Sequence, residues 1–238
     1  MKSGKINTAI LKRIDLFATA SDETLEWLSH RMKIVSFSKG TFVFHDKEVL
    51  EQVYIVFSGK FSIYKVSDTS DKRVIFILGV GNLLNDHLSH DLPSAIWCES
   101  FEDAAALVIS KQQFLKIMSQ DFNLTQAVIG QFSNKLRRTY RQLKNAPTNV
   151  AIEKKIAAKL YALSRDYGMD VEGGVLIDVT LTVTNLSEML GAQRETISRS
   201  LQKLMKEELI IYENKKILIP NLDALVYFYK KRKTSQKN

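Results

Sequence analysis

The residues best suited to chemistry lie in a polar run near the C-terminal end of the chain, between Gln193 and Lys203. An arginine can donate two hydrogen bonds to guanine, a glutamate can accept one from cytosine, and a serine can bond to either kind of group. Side chains spaced three or four residues apart share one face of a helix. The run therefore predicts a helix that reads base edges in the major groove of DNA through Gln193, Arg194, Glu195, Thr196, Ser198, Arg199 and Lys203.

The flanking residues predict the elements that would hold this helix in place. Gly191 stands where a tight turn between two helices needs a positive φ. Two short strand-like runs, Leu209–Tyr212 and Lys216–Ile219, follow in the position of a wing. The pattern favours a winged helix-turn-helix, and its alternative is a three-helix packing motif with a solvated outer face. The predicted inward faces are Leu186, Met189 and Leu190 on the first helix and Ile197, Leu201 and Leu204 on the second.

Positive charge is concentrated in the C-terminal half of the chain. The sequence holds 34 Lys and Arg against 26 Asp and Glu, which gives a net charge of +8. Residues 1–110 carry −2, residues 111–145 carry +6 and residues 146–238 carry +4. This asymmetry indicates a polyanionic partner for the C-terminal half, although a charge that serves only solubility is the alternative.

The composition excludes several other classes of protein. The chain is 45% apolar and 25% charged, as in ordinary globular proteins. Its longest plainly apolar run, Ala104–Ile109, is far shorter than the roughly 20 residues of a membrane span. No apolar stretch of signal-peptide length follows the basic N-terminus. The single cysteine, Cys98, excludes an internal disulfide and is expected to be a buried strand residue. We therefore expect a cytoplasmic protein without membrane contact.

Periodicity predicts helices first and a β domain next. Residues 6–34 have helical spacing, with Ser21 as a helix start. From Ile34 to Ile109, β-branched and aromatic runs alternate with glycine-containing turns, which predicts an antiparallel sandwich or roll. Further on, residues 149–166 predict a helix and Val175–Val179 a strand. The runs of the β domain include Thr41–Phe44, Val53–Phe57, Phe61–Tyr64 and Val74–Leu78.

A long amphipathic helix is predicted after the β domain, ending before a hinge at Asn145–Asn149. Alternating spacings of four and three residues form a coiled-coil seam, while Leu124 and Val128 add a second row expected to pack on the β domain. Since both faces must be buried, a homodimer through the seam is predicted, with packing inside one chain as the alternative. The seam is Met118, Phe122, Thr125, Ile129, Phe132, Leu136, Thr139 and Leu143.

A second polar cluster lies in the segment after Gly81. Asp86, His87, His90 and Asp91 are compatible with a metal ion, although a solvated loop is the alternative. The sequence has no P-loop, no dinucleotide fingerprint and no nucleophile–base pair, so an enzyme is not predicted.

The polar run also carries a family resemblance. Gln193–Arg199, with the sequence Gln-Arg-Glu-Thr-Ile-Ser-Arg, resembles the recognition helix of the Crp/Fnr superfamily of bacterial transcription regulators. The resemblance extends over about residues 20–230 and includes the turns at 38–41, 57–60 and 81–84. It implies an α+β fold with an N-terminal β-roll like a cyclic-nucleotide-binding domain, a long dimerisation helix and a C-terminal winged helix-turn-helix. It also implies that Glu195 and Arg199 contact a G·C pair in each half of a palindromic TTGAT-like or TGTGA-like site.

The resemblance breaks down in the segment that binds cyclic nucleotides in this family. Such members resemble each other in a Gly-Glu pair and a later Arg-Ser pair, where this chain has Asn85-Asp86 and Pro93-Ser94. Because proline cannot neutralise a phosphate, a cyclic nucleotide is not expected. His87 matches the haem histidine of the family's carbon-monoxide sensor, so haem is the alternative to having no cofactor. An approximate helix register adds Tyr140 and Arg141 to an effector pocket with Asp86, His87 and Ser94.

These features together predict a homodimeric, sequence-specific DNA-binding regulator controlled by a small molecule other than a cyclic nucleotide. Its expected domains are residues 1–110, 111–146 and 147–238. Double-stranded DNA, a second copy and RNA polymerase are its expected partners. The alternatives are an effector-independent regulator whose roll is a scaffold and a haem- or metal-dependent sensor acting through His87.

Overall fold

The computed structural model describes residues 6–67, 71–88, 92–144 and 150–231. It divides the chain into two units, Met1–Arg141 and Gln142–Asn238. The predicted hinge at 145–149, the residues His90 and Asp91, and the end of the chain after Lys231 lie outside the described residues. No helix among the described residues is both long and apolar enough to cross a bilayer.

The first unit begins with short helices rather than one long one. These are α1 (Thr8–Lys12), a 3₁₀ turn (Asp15–Phe17) and α2 (Asp22–Ser29). The predicted helix start at Ser21 is confirmed, because its side chain accepts a hydrogen bond from Thr24 N. Helical structure ends earlier than predicted, since the first strand already begins at Lys33.

Seven antiparallel strands build the predicted roll. One sheet has the order β1-β7-β3 and the other the order β2-β6-β4-β5. Apolar side chains fill the space between the sheets, and the predicted burial of Cys98 is confirmed. The strands are β1 (Lys33–Phe37), β2 (Phe42–Phe44), β3 (Gln52–Ser58), β4 (Phe61–Val66), β5 (Lys72–Leu78), β6 (Trp97–Ser100) and β7 (Ala104–Ser110).

The turn between β3 and β4 depends on a glycine. Gly59 has φ +68°, a left-handed conformation that glycine adopts without strain. A Cβ atom at this position would lie 2.6 Å from the carbonyl oxygen of Asp103 and 2.8 Å from the Cα of Ala104. The turn therefore requires glycine for two reasons, backbone conformation and close approach.

Asp121 divides the predicted long helix in two. The structure has α3 (Lys111–Gln120) and α4 (Phe122–Lys144), so the predicted helical segment is interrupted once near its start. The Asp121 carboxylate accepts hydrogen bonds from Leu124 N at 3.1 Å and from Ser21 N at 2.9 Å. Burial opposes ionisation of this carboxyl, but these hydrogen bonds outweigh burial and lower its pKa. The charged side chain thus begins α4 and ties it to the start of α2.

The second unit packs four helices around a small antiparallel sheet. The sheet has the order β10-β11-β9-β8. Strand β8 was missed by the sequence patterns, because all four of its residues are exposed and carry no alternating burial. The elements are α5 (Ile152–Tyr167), β8 (Gly168–Val171), β9 (Gly174–Ile177), α6 (Val183–Leu190), α7 (Arg194–Lys206), β10 (Ile211–Glu213), β11 (Lys216–Ile219) and α8 (Leu222–Lys230).

Candidate functional site

Helices α6 and α7 form the predicted helix-turn-helix. Thr182 and Asn185 make a reciprocal capping box at the start of α6. Gly191 ends α6 with φ 62°, so the predicted positive φ is confirmed. The Ser187 hydroxyl donates to the carbonyl oxygen of Ala192 at 2.6 Å and holds the turn. The start of α7 is therefore fixed by short-range contacts.

Helix α7 separates an apolar inner face from a polar outer face. The predicted inward residues Ile197, Leu201 and Leu204 are all buried. On the outer face, Gln193, Arg194, Glu195, Arg199 and Lys203 are exposed, and Thr196 and Ser198 are half-buried. The exposed predicted contacts therefore span about three turns on the outer face of α7. Donors and acceptors on such a face suit the base edges of a major groove.

Two contacts orient charged side chains on this face. Arg199 Nε donates to the carbonyl oxygen of Glu195 at 3.4 Å, which leaves the rest of its guanidinium for other acceptors. Lys203 Nζ lies 3.3 Å from Glu153 Oε1 on α5. Lys203 is therefore held toward α5, at the edge of the outer face rather than at its centre.

The predicted wing is also present. Asn214 and Lys215 have φ values of 51° and 62°, the two positive values that a type I′ hairpin turn requires. The carbonyl oxygen of Lys215 accepts a hydrogen bond from Leu181 N at 2.8 Å. Tyr212 Oη donates to the carbonyl oxygen of Leu181 at 2.9 Å. Two contacts therefore hold the hairpin against the segment that leads into α6.

In the first unit, Asp86 is bonded to residues that follow it along the loop. The Asp86 carboxylate accepts hydrogen bonds from Ala95 N at 2.8 Å and Ser94 Oγ at 3.2 Å, and it lies 3.0 Å from His87 Nδ1. The structure thus brings Asp86, His87 and Ser94 together. Because all these contacts use the Asp86 carboxylate, it is bonded within the protein rather than presented to a ligand hydroxyl.

The described residues bear differently on a metal ion and on haem. Within 6–67, 71–88, 92–144 and 150–231, no group of three or more His, Cys, Asp and Glu side chains could hold a metal ion. His87 is bonded to Asp86 through Nδ1, which leaves Nε2 as its one ring nitrogen for iron. A histidine ligand needs only one ring nitrogen, so this hydrogen bond is compatible with haem ligation.

Tyr140 and Arg141 lie on exposed positions of α4. Tyr140 is 59% exposed, and the described contacts of the chain do not join either residue to the loop. Two residues that the sequence patterns missed, Gln131 and Lys135, reach the loop instead. Gln131 Oε1 accepts from Leu83 N at 2.8 Å, and Lys135 Nζ donates to the carbonyl oxygen of Leu83 at 2.6 Å.

Lys135 has the most unusual electrostatic environment on α4. Burial of its ammonium lowers its pKa from 10.5 to about 8, although Cys98 and Asp86 act in the opposite direction. The Cys98 thiol is itself fully buried, which raises its pKa well above the ordinary value. A cavity of about 230 Å³ lies beside Lys135 and is lined by Asp15, Val80, Gly81, Asn82, Gln131, Asn134, Lys135 and Arg138.

The other face of α4 carries an exposed apolar stripe. The stripe consists of Phe122, Ile129, Leu136 and Leu143, spaced seven residues apart and 51–71% exposed. The other predicted seam residues depart from it: Met118 lies on α3, Phe132 packs on the core, and Thr125 and Thr139 are half-buried. Leu124 and Val128 are buried in the first unit, as predicted.

Two family models match the chain. The Crp-like helix-turn-helix domain matches residues 154–228, which include α6, α7 and the wing. The cyclic nucleotide-binding domain matches residues 34–121, which include the seven strands of the roll. The two matches together cover more than half of the chain.

Known proteins match over most of their length. The anaerobic regulatory protein of Bacillus subtilis is 28% identical over 218 residues, covering 89% of this chain and 88% of that protein. The CRP-like cAMP-activated global transcriptional regulator of Mycobacterium tuberculosis is 21% identical over 217 residues, covering 91% and 96%. Both are regulators by name, and the second is named a transcriptional regulator.

Solved structures share the fold. A CooA mutant from Carboxydothermus hydrogenoformans matches with a TM-score of 0.74 and 17% identity, covering 96% of this chain and 98% of that one. FixK2 from Bradyrhizobium japonicum matches with a TM-score of 0.72 and 18% identity, covering 82% and 96%. These likenesses confirm the predicted fold class. The family models for the roll and for the helix-turn-helix, together with the relatives, all indicate one family. The chain therefore belongs to the Crp/Fnr superfamily of DNA-binding transcription regulators.

Proposed function

We propose that this chain is a cytoplasmic homodimeric regulator that binds an inverted-repeat DNA site through the outer face of α7. The observation that carries the proposal is the exposure of Arg194, Glu195 and Arg199 on the first two turns of that helix. In helix-turn-helix proteins the N-terminal residues of the second helix contact base edges. The positive charge of residues 111–238 supplies attraction for phosphates.

The apolar stripe of α4 supports the dimer. Its four residues repeat every seven positions, which is the repeat of a two-helix seam. They are exposed in one chain, whereas the opposite face of α4 is already buried by Leu124 and Val128. A second copy of α4 would cover the stripe through a two-fold contact, in which the same patch serves both chains.

Two-fold symmetry sets the form of the DNA site. Two copies of α7 would enter the major groove about one helical turn, roughly 34 Å, apart. By the family resemblance, Glu195 and Arg199 would read one G·C pair in each half of a TTGAT-like or TGTGA-like repeat. RNA polymerase is the protein partner expected for such a regulator.

The control of this regulator is proposed to involve a small molecule other than a cyclic nucleotide. Asp86 is occupied by Ala95, Ser94 and His87, and Pro93 stands where the family's cyclic-nucleotide binders have arginine. Native mass spectrometry of the purified dimer provides the test. An added mass would identify a retained effector, and an added mass equal to a cyclic nucleotide would contradict this part of the proposal.

Fluorescence anisotropy with three duplexes of equal length tests DNA binding. One duplex carries an inverted repeat of the half-site, one carries a single half-site, and one carries a scrambled sequence. We expect the inverted repeat to bind roughly 10³-fold or more tightly than the scrambled duplex, with the single half-site between them. Equal affinity for all three would contradict the proposal.

A further inference from the structure

One face of α4 changes from apolar to polar along its length. Leu124, Val128, Gln131 and Lys135 are spaced four, three and four residues apart, so they form one row on the helix. Leu124 and Val128 are buried in the hydrophobic core of the first unit. Beyond them, the row continues as two polar side chains. The N-terminal half of α4 is therefore fixed by apolar packing, and hydrogen bonds from Gln131 and Lys135 are added in the next turns.

These two side chains make four hydrogen bonds to one short loop. Gln131 accepts from Leu83 N at 2.8 Å and donates through Nε2 to the carbonyl oxygen of Gly81 at 2.7 Å. Lys135 Nζ donates to the carbonyl oxygens of Leu83 at 2.6 Å and Asn85 at 3.1 Å. Hydrogen bonds from a charged donor are stronger than those between neutral groups. The loop Gly81–Asp86 is therefore held to α4 mainly through its backbone.

The same loop is attached to the roll on its other side. Leu84 N donates to the carbonyl oxygen of Tyr54 at 2.8 Å. The buried Asn85 side chain accepts from Tyr54 N and donates to the carbonyl oxygen of Gln52, both at 2.9 Å. Since Gln52 and Tyr54 belong to β3, the loop joins the sheet to α4. A displacement of this loop relative to β3 would act on α4 through Gln131 and Lys135.

We propose that Gln131 and Lys135 form a clamp through which the loop Gly81–Asp86 positions the C-terminal half of α4. That half carries Leu136 and Leu143 of the apolar stripe. The consequence for DNA binding rests on the proposed function, because it requires the stripe to form the dimer. The attachment of α4 to the loop does not rest on it.

The electrostatics of Lys135 make the clamp sensitive to protons. The groups around its ammonium are Cys98 on β6, Asp86 on the loop and Arg138 on α4. Because burial lowers the pKa of Lys135 to about 8, a state that exposes this side chain to water binds a proton more tightly than the closed state. Between about pH 8 and the ordinary lysine value of 10.5 the closed state is therefore favoured as the pH rises, whereas below pH 8 Lys135 is protonated in both states and the balance does not depend on pH.

Hydrogen exchange measured by mass spectrometry tests the clamp in the full chain at pH 7. We expect Gln131→Leu and Lys135→Met each to accelerate exchange about tenfold or more in residues 81–86 and also in residues 136–143. Gln126→Leu and Lys116→Met, at exposed positions of α4 and α3, are the matched controls and should leave both segments unchanged. Faster exchange in 81–86 alone would overturn the proposal, because the loop would then not position α4.

Two further measurements keep the test decisive. Lys135→Arg retains charged donors, so exchange in both segments should be slower than in Lys135→Met, whereas exchange as fast as in Lys135→Met would count against the clamp. Between pH 7 and 9, the protection factor of residues 81–86 should rise in the wild type and stay level in Lys135→Met; an equal rise in both would exclude Lys135 as the titrating group. Absence of specific DNA binding by the wild type would refute the proposed function but not the clamp, because the exchange measurements test the clamp without DNA.

Discussion

The outer face of α7 and the loop Gly81–Asp86 show two ways of building a functional surface. On α7, the exposed side chains come from one short stretch of sequence, and Ile197 and Leu201 hold the helix from within. At the loop, the contacts come from β3, the loop and α4, and most of them use backbone atoms. The first surface presents side chains to a partner outside the molecule. The second uses its polar groups to join parts of the same unit.

This difference has an energetic counterpart. Arg194 and Arg199 remain in water, so their charges are available to DNA without a prior cost of burial. The Lys135 ammonium is enclosed, and its lowered pKa reports the cost of that burial. We therefore expect changes on α7 to alter DNA affinity directly, and changes in the first unit to act through stability or assembly.

The largest effect is expected from a charge in the apolar stripe. Leu136→Glu should abolish the dimer and lower affinity for an inverted repeat by about 10²-fold or more, because both half-sites could no longer be bound together. Sedimentation equilibrium and anisotropy measure the two effects. Asn134→Glu places the same charge on an exposed position outside the stripe and is the control. If the Leu136→Glu protein is still a dimer, the apolar stripe of α4 is not the dimer interface.

The next effect concerns the stability of the first unit. Gly59→Ala should destabilise it by about 3 kcal/mol, since the new Cβ meets backbone in a left-handed conformation. Gly40→Ala has a similar φ of +79° but open space, and it should cost only about 1 kcal/mol. Urea unfolding followed by tryptophan fluorescence reports this unit alone, because both tryptophans lie in it. Equal costs would show that close approach at Gly59 is unimportant.

Arg199→Ala should weaken binding to the inverted repeat by about 1–3 kcal/mol and relax the preference for one G·C pair in each half-site. Anisotropy with a set of single-base variants measures both changes. Lys206→Ala removes an exposed cation at the other end of α7 and should leave the preference intact. Equal losses for Arg199→Ala on specific and random DNA would refute its contact with a base.

Asp121 should give the first unit a defined dependence on pH. Because its folded pKa is lowered, ionised Asp121 stabilises the fold above the unfolded pKa of about 3.9, and this contribution disappears as the pH falls through the folded value. Asp121→Asn keeps a capping side chain but loses the charge, so it should cost about 1 kcal/mol or less at pH 7. Urea unfolding from pH 7 to pH 3 should show the gap to wild type closing. A gap that is constant with pH would contradict the role of the charge.

The smallest effect is expected at the C-terminal end of α8. Lys230→Ala should weaken binding to all DNA sequences alike and reduce the salt dependence of log K by about 1, as for the loss of one phosphate contact. Affinities measured at four salt concentrations give this slope. A loss confined to the specific site would indicate a base contact instead.

Local patterns in the sequence were sufficient for the DNA-binding unit. The helix-turn-helix followed from the spacing of apolar residues around Gly191, and the wing from two short runs around Asn214. Strand β8 was not predicted, because its residues are all exposed and have no alternating pattern. The correct predictions share a cause, since the turn at Gly191 and the hairpin at Asn214 are each formed by residues close together along the chain.

The first unit depends more on contacts between distant residues. Asp121 divides α3 from α4 through a hydrogen bond to Ser21, 100 positions away. Gln131 and Lys135 reach residues 48–52 positions away, so their spacing along α4 carried no sign of a partner. Sequence periodicity predicted that Leu124 and Val128 are buried. The partners of Gln131 and Lys135, which continue the same row, are brought to α4 only by the folded roll.

Selection from a pool of random DNA duplexes tests the central claim most directly. The purified chain is incubated with the pool, the bound duplexes are amplified over several rounds, and the enriched sequences are read. The account predicts an inverted repeat whose half-sites each contain a required G·C pair and are centred about one helical turn, roughly 10 base pairs, apart. Enrichment of a single unrepeated motif, or no enrichment above the starting pool, would contradict a dimer that reads DNA through α7.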